Sequence, residues 1–151
     1  MVTEQSLAPD FTLPDADNRL VALSSFRGKN VVLFFYPADD TPVCNKEVCS
    51  LRDGFQEIAD KNTVVVGVSP DSVASHRAFR AKFGLPFLLL ADPEKKVLNA
   101  WGAWGEKNLY GNKVIGVIRQ TFVIDRNGVV VKHIKRVKTS AAADQVLPYL
   151  G

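Results

Sequence analysis

Two apolar runs, Val31-Val-Leu-Phe-Phe-Tyr36 and Thr63-Val-Val-Val-Gly-Val-Ser69, stand on either side of Thr41-Pro42-Val43-Cys44 and the segment that follows it. Both are rich in β-branched and aromatic residues, and neither alternates with polar ones, which is the pattern of strands covered on both faces. Between them, Thr41 is placed to cap a helix whose first residue, Pro42, loses nothing by lacking an N–H. The continuation of that helix brings Val48, Leu51, Phe55, Ile58 and Ala59 to three- and four-residue spacings, on one face toward a sheet. The unit reads as βαβ with two central parallel strands.

Toward the N-terminus, Phe11-Thr-Leu and Leu20-Val-Ala-Leu flank the polar turn Asp15-Ala-Asp-Asn, which predicts a β-hairpin. Toward the C-terminus, a helix is expected to start after Asp71-Ser72 and to end at Gly84, with Phe79 and Phe83 stacked one turn apart. His76 lies in that helix among polar neighbours and is expected on its surface. Phe87-Leu-Leu-Leu-Ala91 reads as a strand and Pro93 to Trp101 as a short helix. Glycines at 102, 105, 111 and 116 then predict a loop. Gln120-Thr-Phe-Val-Ile-Asp125 and Val129-Val-Val-Lys-His-Ile134 flank an Asn-Gly turn and predict an antiparallel hairpin. Ser140 to Leu150 closes the chain as a helix whose last turn is disturbed by Pro148. No repeat, low-complexity tract or linker divides residues 1–151, so a single domain is expected. A βαβ unit followed by ββα, with a dithiol after the first core strand, predicts an α/β, thioredoxin-like fold: a central mixed sheet flanked by helices, with the N-terminal β-hairpin as an extension.

The 151 residues carry 19 Lys and Arg against 16 Asp and Glu, a formal charge of +3, with 46% hydrophobic and 23% charged residues. Such a composition is that of a folded globular chain and excludes a disordered one. No apolar run approaches the roughly 18 residues of a membrane-spanning helix. The first residues lack the basic and apolar regions of a secretory signal, so the expected compartment is the cytoplasm. Lys132, His133, Lys135, Arg136 and Lys138 form a basic cluster. Ile134 and Val137 interleave it as packing positions, which fits a solvated strand face, and no nucleic-acid motif accompanies it.

Cys44 and Cys49 are the whole thiol inventory. In a reducing compartment such a pair points to catalysis or metal binding. The ligands that zinc requires are missing from the sequence pattern, since His76 and His133 are distant from both cysteines and from each other. On an ideal helix, five residues separate the two Cα atoms by roughly 8.6 Å. A disulfide reaches at most about 7 Å, so bonding between them requires the helix start to unwind. Cys44 falls in the first turn, where free N–H groups and the helix dipole favour a thiolate.

The segment Tyr36-Pro-Ala-Asp-Asp-Thr-Pro-Val-Cys44 resembles the peroxiredoxin motif Pro-x-x-x-Thr-x-x-Cys, with Pro37, Thr41 and Cys44 at its fixed positions. The longer string through Cys49-Ser-Leu-Arg-Asp is similar to the bacterioferritin comigratory protein, or peroxiredoxin Q, class. Ala8-Pro-Asp-Phe11, Trp104-Gly-Glu-Lys107, Tyr110-Gly111 and Arg119-Gln-Thr-Phe-Val-Ile-Asp125 extend the likeness over nearly the whole chain. Ala38, Val43 and Asn45 stand where the class commonly has Lys, Gly and Thr. The resemblance implies a peroxidatic Cys44, a resolving Cys49 that forms a disulfide with it, Thr41 and Arg119 around the thiolate and peroxide, and Pro37 shielding the pocket. It implies a hydroperoxide substrate, thioredoxin or a similar dithiol as reductant, no bound cofactor, and a monomer; the ligand count above gives no expectation of a metal. Nucleic-acid and membrane partners are not expected.

Two other uses of the dithiol compete with turnover: a redox sensor that oxidises once and changes a partner's affinity, and general disulfide exchange on proteins. Glu47 is explained by the helix dipole alone and is left outside the expected site. Trp101 and Trp104 fit either the wall of a pocket beside Cys44 or the edge of the core.

Overall fold

The two apolar runs lie side by side. In the computed structural model, which describes residues 2–151, strand β3 (Asn30–Phe35) pairs in parallel with β4 (Thr63–Ser69), Phe35 opposite Val68. Around them a five-stranded sheet has the order β5-β4-β3-β8-β9, with β5 at Leu88–Ala91, β8 at Gln120–Ile124 and β9 at Val130–Ile134. Strand β5 is parallel to β4, whereas β8 runs antiparallel to β3 and β9 antiparallel to β8. The sheet is therefore mixed. An N-terminal hairpin, β1 (Thr12–Pro14) with β2 (Leu20–Ala22), lies outside it.

Side-chain alternation along β3 divides the core in two. Val31, Leu33 and Phe35 face one side with Val66, Val68, Phe122 and Trp101, and Val32, Phe34 and Tyr36 face the other with Cys44, Val48, Leu51 and Phe79. Gly67 is fitted to this second side: a Cβ there would lie 2.6 Å from the Phe34 ring opposite it.

Helix α1 runs uninterrupted over Pro42–Asp53 and carries both cysteines. The expected single helix to Ala59 is broken at Gly54, and Phe55–Ala59 forms a separate short helix, α2. The C-terminal helix packs closely at the break: a Cβ on Gly54 would lie 2.5 Å from Ala143, a space that suits glycine. Helix α3 (Val73–Phe83) matches its sequence signals: Ser72 accepts a hydrogen bond from the Ser75 N–H, and Gly84 ends the helix with φ 61°. A short α4 covers Lys96–Ala100. At the C-terminus only Ala142–Val146 is α-helical (α5), and the turn containing Pro148 tightens to a 3₁₀ helix.

The loop expected at the glycines is instead a hairpin, β6 (Trp104–Leu109) with β7 (Asn112–Val117). Its two-residue turn places Tyr110 at φ 52° and Gly111 at φ 81°, the left-handed pair that a tight hairpin requires. Gly105 and Gly116 face each other across the ladder, which is how a glycine-rich stretch came to be strand. The β8–β9 hairpin is present, but its connection is not a two-residue Asn-Gly turn. Asp125 accepts from the N–H groups of Asn127 and Val129, and only Gly128 is left-handed. No described helix is long and apolar enough to cross a membrane.

Candidate active site

Strand directions decide which residues meet. Strands β3 and β4 end at the same edge of the sheet, and β8, running the other way, begins there, with Gln120 paired to Phe35. The loop after β3 holds Pro37 and Thr41, α1 starts at Pro42, and Arg119 immediately precedes β8. Arg119, 75 positions away in sequence, thus reaches Cys44 from a second strand end.

Cys44 is buried, 1% exposed, and its sulfur accepts a hydrogen bond from Arg119 Nη2 at 3.1 Å. The other guanidinium nitrogen, Nη1, donates to Glu47 Oε1 at 2.5 Å. Glu47 is fully buried, and its second oxygen has no protein partner among the described residues. Burial raises the Glu47 carboxyl to about 7, against the pull of Arg119. Burial opposes the charge on Arg119 as well, but Glu47 and Cys44 outweigh it and raise the guanidinium pKa. A fixed positive charge therefore sits against the sulfur. Glu47, left outside the expected site, belongs to its structure, one helical turn after Cys44 and bonded to a residue 72 positions away.

Thr41 stands at the N-cap of α1 with extended backbone, but its side chain makes no capping bond. Its hydroxyl donates to the Ala38 carbonyl at 3.1 Å. That hydrogen is not directed at sulfur, and the oxygen lone pairs remain as acceptors. Pro37 follows β3 and is half-buried. Cys49 is a free, half-buried thiol farther along α1, packed against the same core cluster, and Cys44 is also free. Val43, beside Cys44, leaves 49% of its surface open.

The tryptophans go to the other side of the sheet. Trp101 is 2% exposed and packs against Phe11, Phe35 and Phe122, and half-buried Trp104 borders the same cluster. A cleft of about 620 Å³ includes Trp101, Ile118 and His133 in its wall but none of Pro37, Thr41, Cys44, Cys49 or Arg119. His133 stacks on Phe122 and bonds to Gln120, so its place in the basic cluster is a packed one.

His76 is not on the surface of α3. It is fully buried, with Nδ1 at 2.8 Å from Asp39 Oδ2 and Nε2 at 3.0 Å from the Leu90 carbonyl. Asp39, Asp71 and His76 bring ligand-type atoms within 4.8 Å of one another. Sequence spacing concealed this group because Asp39 and His76 are 37 positions apart. Its donor and acceptor atoms are held by Tyr36, Ser69, Ser75 and backbone groups rather than left open toward a cation.

The AhpC/TSA family model matches residues 5–133. A putative peroxiredoxin of Mycobacterium tuberculosis is 48% identical over 130 residues, which span 86% of this chain and 83% of that protein. Peroxiredoxin Bcp of Bacillus subtilis is 41% identical over 143 residues, spanning 95% and 91%. Among solved structures, a cysteine-to-serine mutant of Xylella fastidiosa PrxQ superposes with a TM-score of 0.92 at 30% identity, covering 99% of this chain and 96% of that one. The bacterioferritin comigratory protein of Xanthomonas campestris, described in connection with its alkyl peroxide reduction activity, gives 0.86 at 34% identity, covering 93% and 89%.

Proposed function

The chain belongs to the AhpC/TSA peroxiredoxins, in the Bcp/peroxiredoxin Q class of thiol peroxidases, and from that premise we propose that Cys44 is the sulfur that attacks the peroxide. The observation that carries the assignment is the hydrogen bond from Arg119 Nη2 to Cys44 Sγ, at the start of α1. A guanidinium there stabilises both the thiolate and the negative charge that develops on the departing oxygen. Thr41 serves as acceptor for the peroxide O–H, because its own hydrogen is committed to Ala38. Pro37 shields the site from water.

The Cys44 thiolate takes one oxygen of ROOH, the O–O bond breaks, and RO⁻ leaves to be protonated as ROH while the sulfur becomes a sulfenic acid. Cys49 then attacks that sulfur, forms the Cys44–Cys49 disulfide and releases water. With both residues on one unbroken helix, this step requires the first turns of α1 to unwind. Two electrons from an external dithiol, thioredoxin or a protein like it, reopen the disulfide. The substrates are hydrogen peroxide and organic hydroperoxides, and the partly exposed Val43 offers an apolar surface to an alkyl group. We read residues 1–151 as one domain acting as a monomer in the cytoplasm, with no cofactor. Peroxide consumption driven by a thioredoxin system tests the assignment: Cys44→Ser is expected to abolish it, and sustained turnover in that variant would reject Cys44 as the nucleophile.

A further inference from the structure

A polar network that touches no reacting atom lies under the loop joining β3 to α1. Asp39, midway between Pro37 and Thr41, accepts from the Tyr36 hydroxyl at Oδ1 (2.6 Å) and from the Ser75 hydroxyl at Oδ2 (2.7 Å). His76 Nδ1 approaches the same Oδ2 at 2.8 Å, and Asp39's own N–H donates to Asp71 Oδ2 at 2.8 Å. Nε2 faces a carbonyl oxygen, which can only accept, so Nε2 carries a hydrogen. Nδ1 lies within hydrogen-bond distance of two oxygens, Asp39 Oδ2 at 2.8 Å and the Tyr36 hydroxyl at 3.3 Å. Asp39 and His76 therefore form a buried pair in hydrogen-bond contact, with α3 gripping the loop through it.

The grip reaches Thr41 through one peptide plane. The Ala38 carbonyl accepts the Thr41 hydroxyl, and the N–H of the same peptide, that of Asp39, is bound by Asp71. A rotation of Asp39 would turn that plane and with it the Thr41 hydroxyl. We propose that His76 is a positioning residue for the peroxide reaction: through Asp39 and the Ala38–Asp39 peptide, it fixes the orientation of the Thr41 hydroxyl beside Cys44. The proposal rests on the peroxidase reading given above.

The test uses Cys49→Ser protein, in which Cys44 chemistry is isolated, and compares the rate of Cys44 oxidation by hydrogen peroxide with its rate of alkylation by iodoacetamide. Alkylation needs the thiolate but not the Thr41 hydroxyl. His76→Gln places an amide near the Leu90 carbonyl and removes the donor to Asp39, whereas His76→Asn places its amide near Asp39. His76→Gln is expected to lower the peroxide rate about 100-fold, the scale of a misplaced catalytic group, without a matching fall in alkylation. His76→Asn is expected to restore most of the loss, and Asp39→Ala, which leaves His76 in place, to reproduce it. Peroxide and alkylation rates that fall together, or equal losses in the Asn and Gln variants that follow their melting temperatures, would overturn the proposal. A parent protein that forms no sulfenic acid removes the peroxidase reading and this proposal with it. A reactive parent whose His76→Gln variant is equally reactive removes this proposal alone.

Discussion

Two buried polar clusters flank the start of α1, and they differ in what they touch. Glu47 and Arg119 face the sulfur of Cys44 directly. Asp39 and His76 hold the loop that carries Thr41 and make no contact with sulfur. The first cluster contains a group held near neutral pH by burial, Glu47 at about 7. In the second, Tyr36 stays a donor, since burial foremost, together with the Asp39 charge, pushes its phenol well above the ordinary value. In the reading proposed above, one cluster supplies charge to the reaction and the other supplies geometry. Buried ion pairs are weak contributors to stability in general, because desolvation offsets their attraction. Both clusters are better explained by what they hold in place.

The largest effect should come from breaking the charged cluster at its centre. Arg119→Met is expected to slow Cys44 oxidation by about 10²- to 10³-fold, as for the loss of one preorganised donor to developing charge, measured by stopped flow with hydrogen peroxide. A loss of less than tenfold would mean that the guanidinium is structural.

Glu47→Gln should have a smaller effect on rate and a distinctive one on stability. The folded carboxyl titrates at about 7 and the unfolded one near 4.5, so the folded state holds the extra proton between these values. Its contribution is fully present below about pH 4.5 and is lost as pH rises through about 7. Relative to Glu47→Gln, the parent should lose stability on the order of 3 kcal/mol across that window, by urea denaturation at a series of pH values. Parallel stability curves for the two proteins would contradict the raised value.

The geometric cluster should answer more weakly to a change at its edge. Tyr36→Phe deletes one donor to Asp39 while Ser75 and His76 remain. The expected cost is about 1 to 2 kcal/mol, with a modest fall in peroxide rate and none in Arg119 pairing. A rate loss as large as that of Arg119→Met would erase the distinction between the two clusters.

Local signals carried most of the fold into the sequence, and long-range contacts hid the rest. The β3 and β4 runs, the Ser72 cap and the Gly84 stop are each decided within a few residues, and each stands where expected. The β6–β7 hairpin was concealed because its turn uses Tyr110, an aromatic, in a left-handed conformation usually held by Gly or Asn. The glycine at the α1–α2 break is fitted to Ala143, about 90 residues downstream, a contact that no helical periodicity can report.

The candidate site shows the same division. Pro37, Thr41 and Cys44 fall within eight residues and share one motif, whereas Glu47 acquires meaning only when Arg119 folds against it. The polar neighbours of His76 predict a surface position, and Arg77 beside it is indeed exposed. Its burial depends on the Asp39 loop and on Leu90, neither adjacent in sequence. A histidine in an otherwise ordinary amphipathic helix carries no signal of such partners.

The central claim is that Cys44 is oxidised first and Cys49 resolves it. Reduced protein is mixed with one equivalent of hydrogen peroxide, quenched with a thiol alkylator and weighed intact beside the Cys44→Ser and Cys49→Ser variants. The account predicts that the parent loses the mass of two hydrogens and resists alkylation, that Cys49→Ser accumulates a trappable sulfenic acid, and that Cys44→Ser is unchanged. Thiols that remain free and alkylatable in the parent, or sulfenic acid formed on Cys49 in the Cys44→Ser variant, would contradict it.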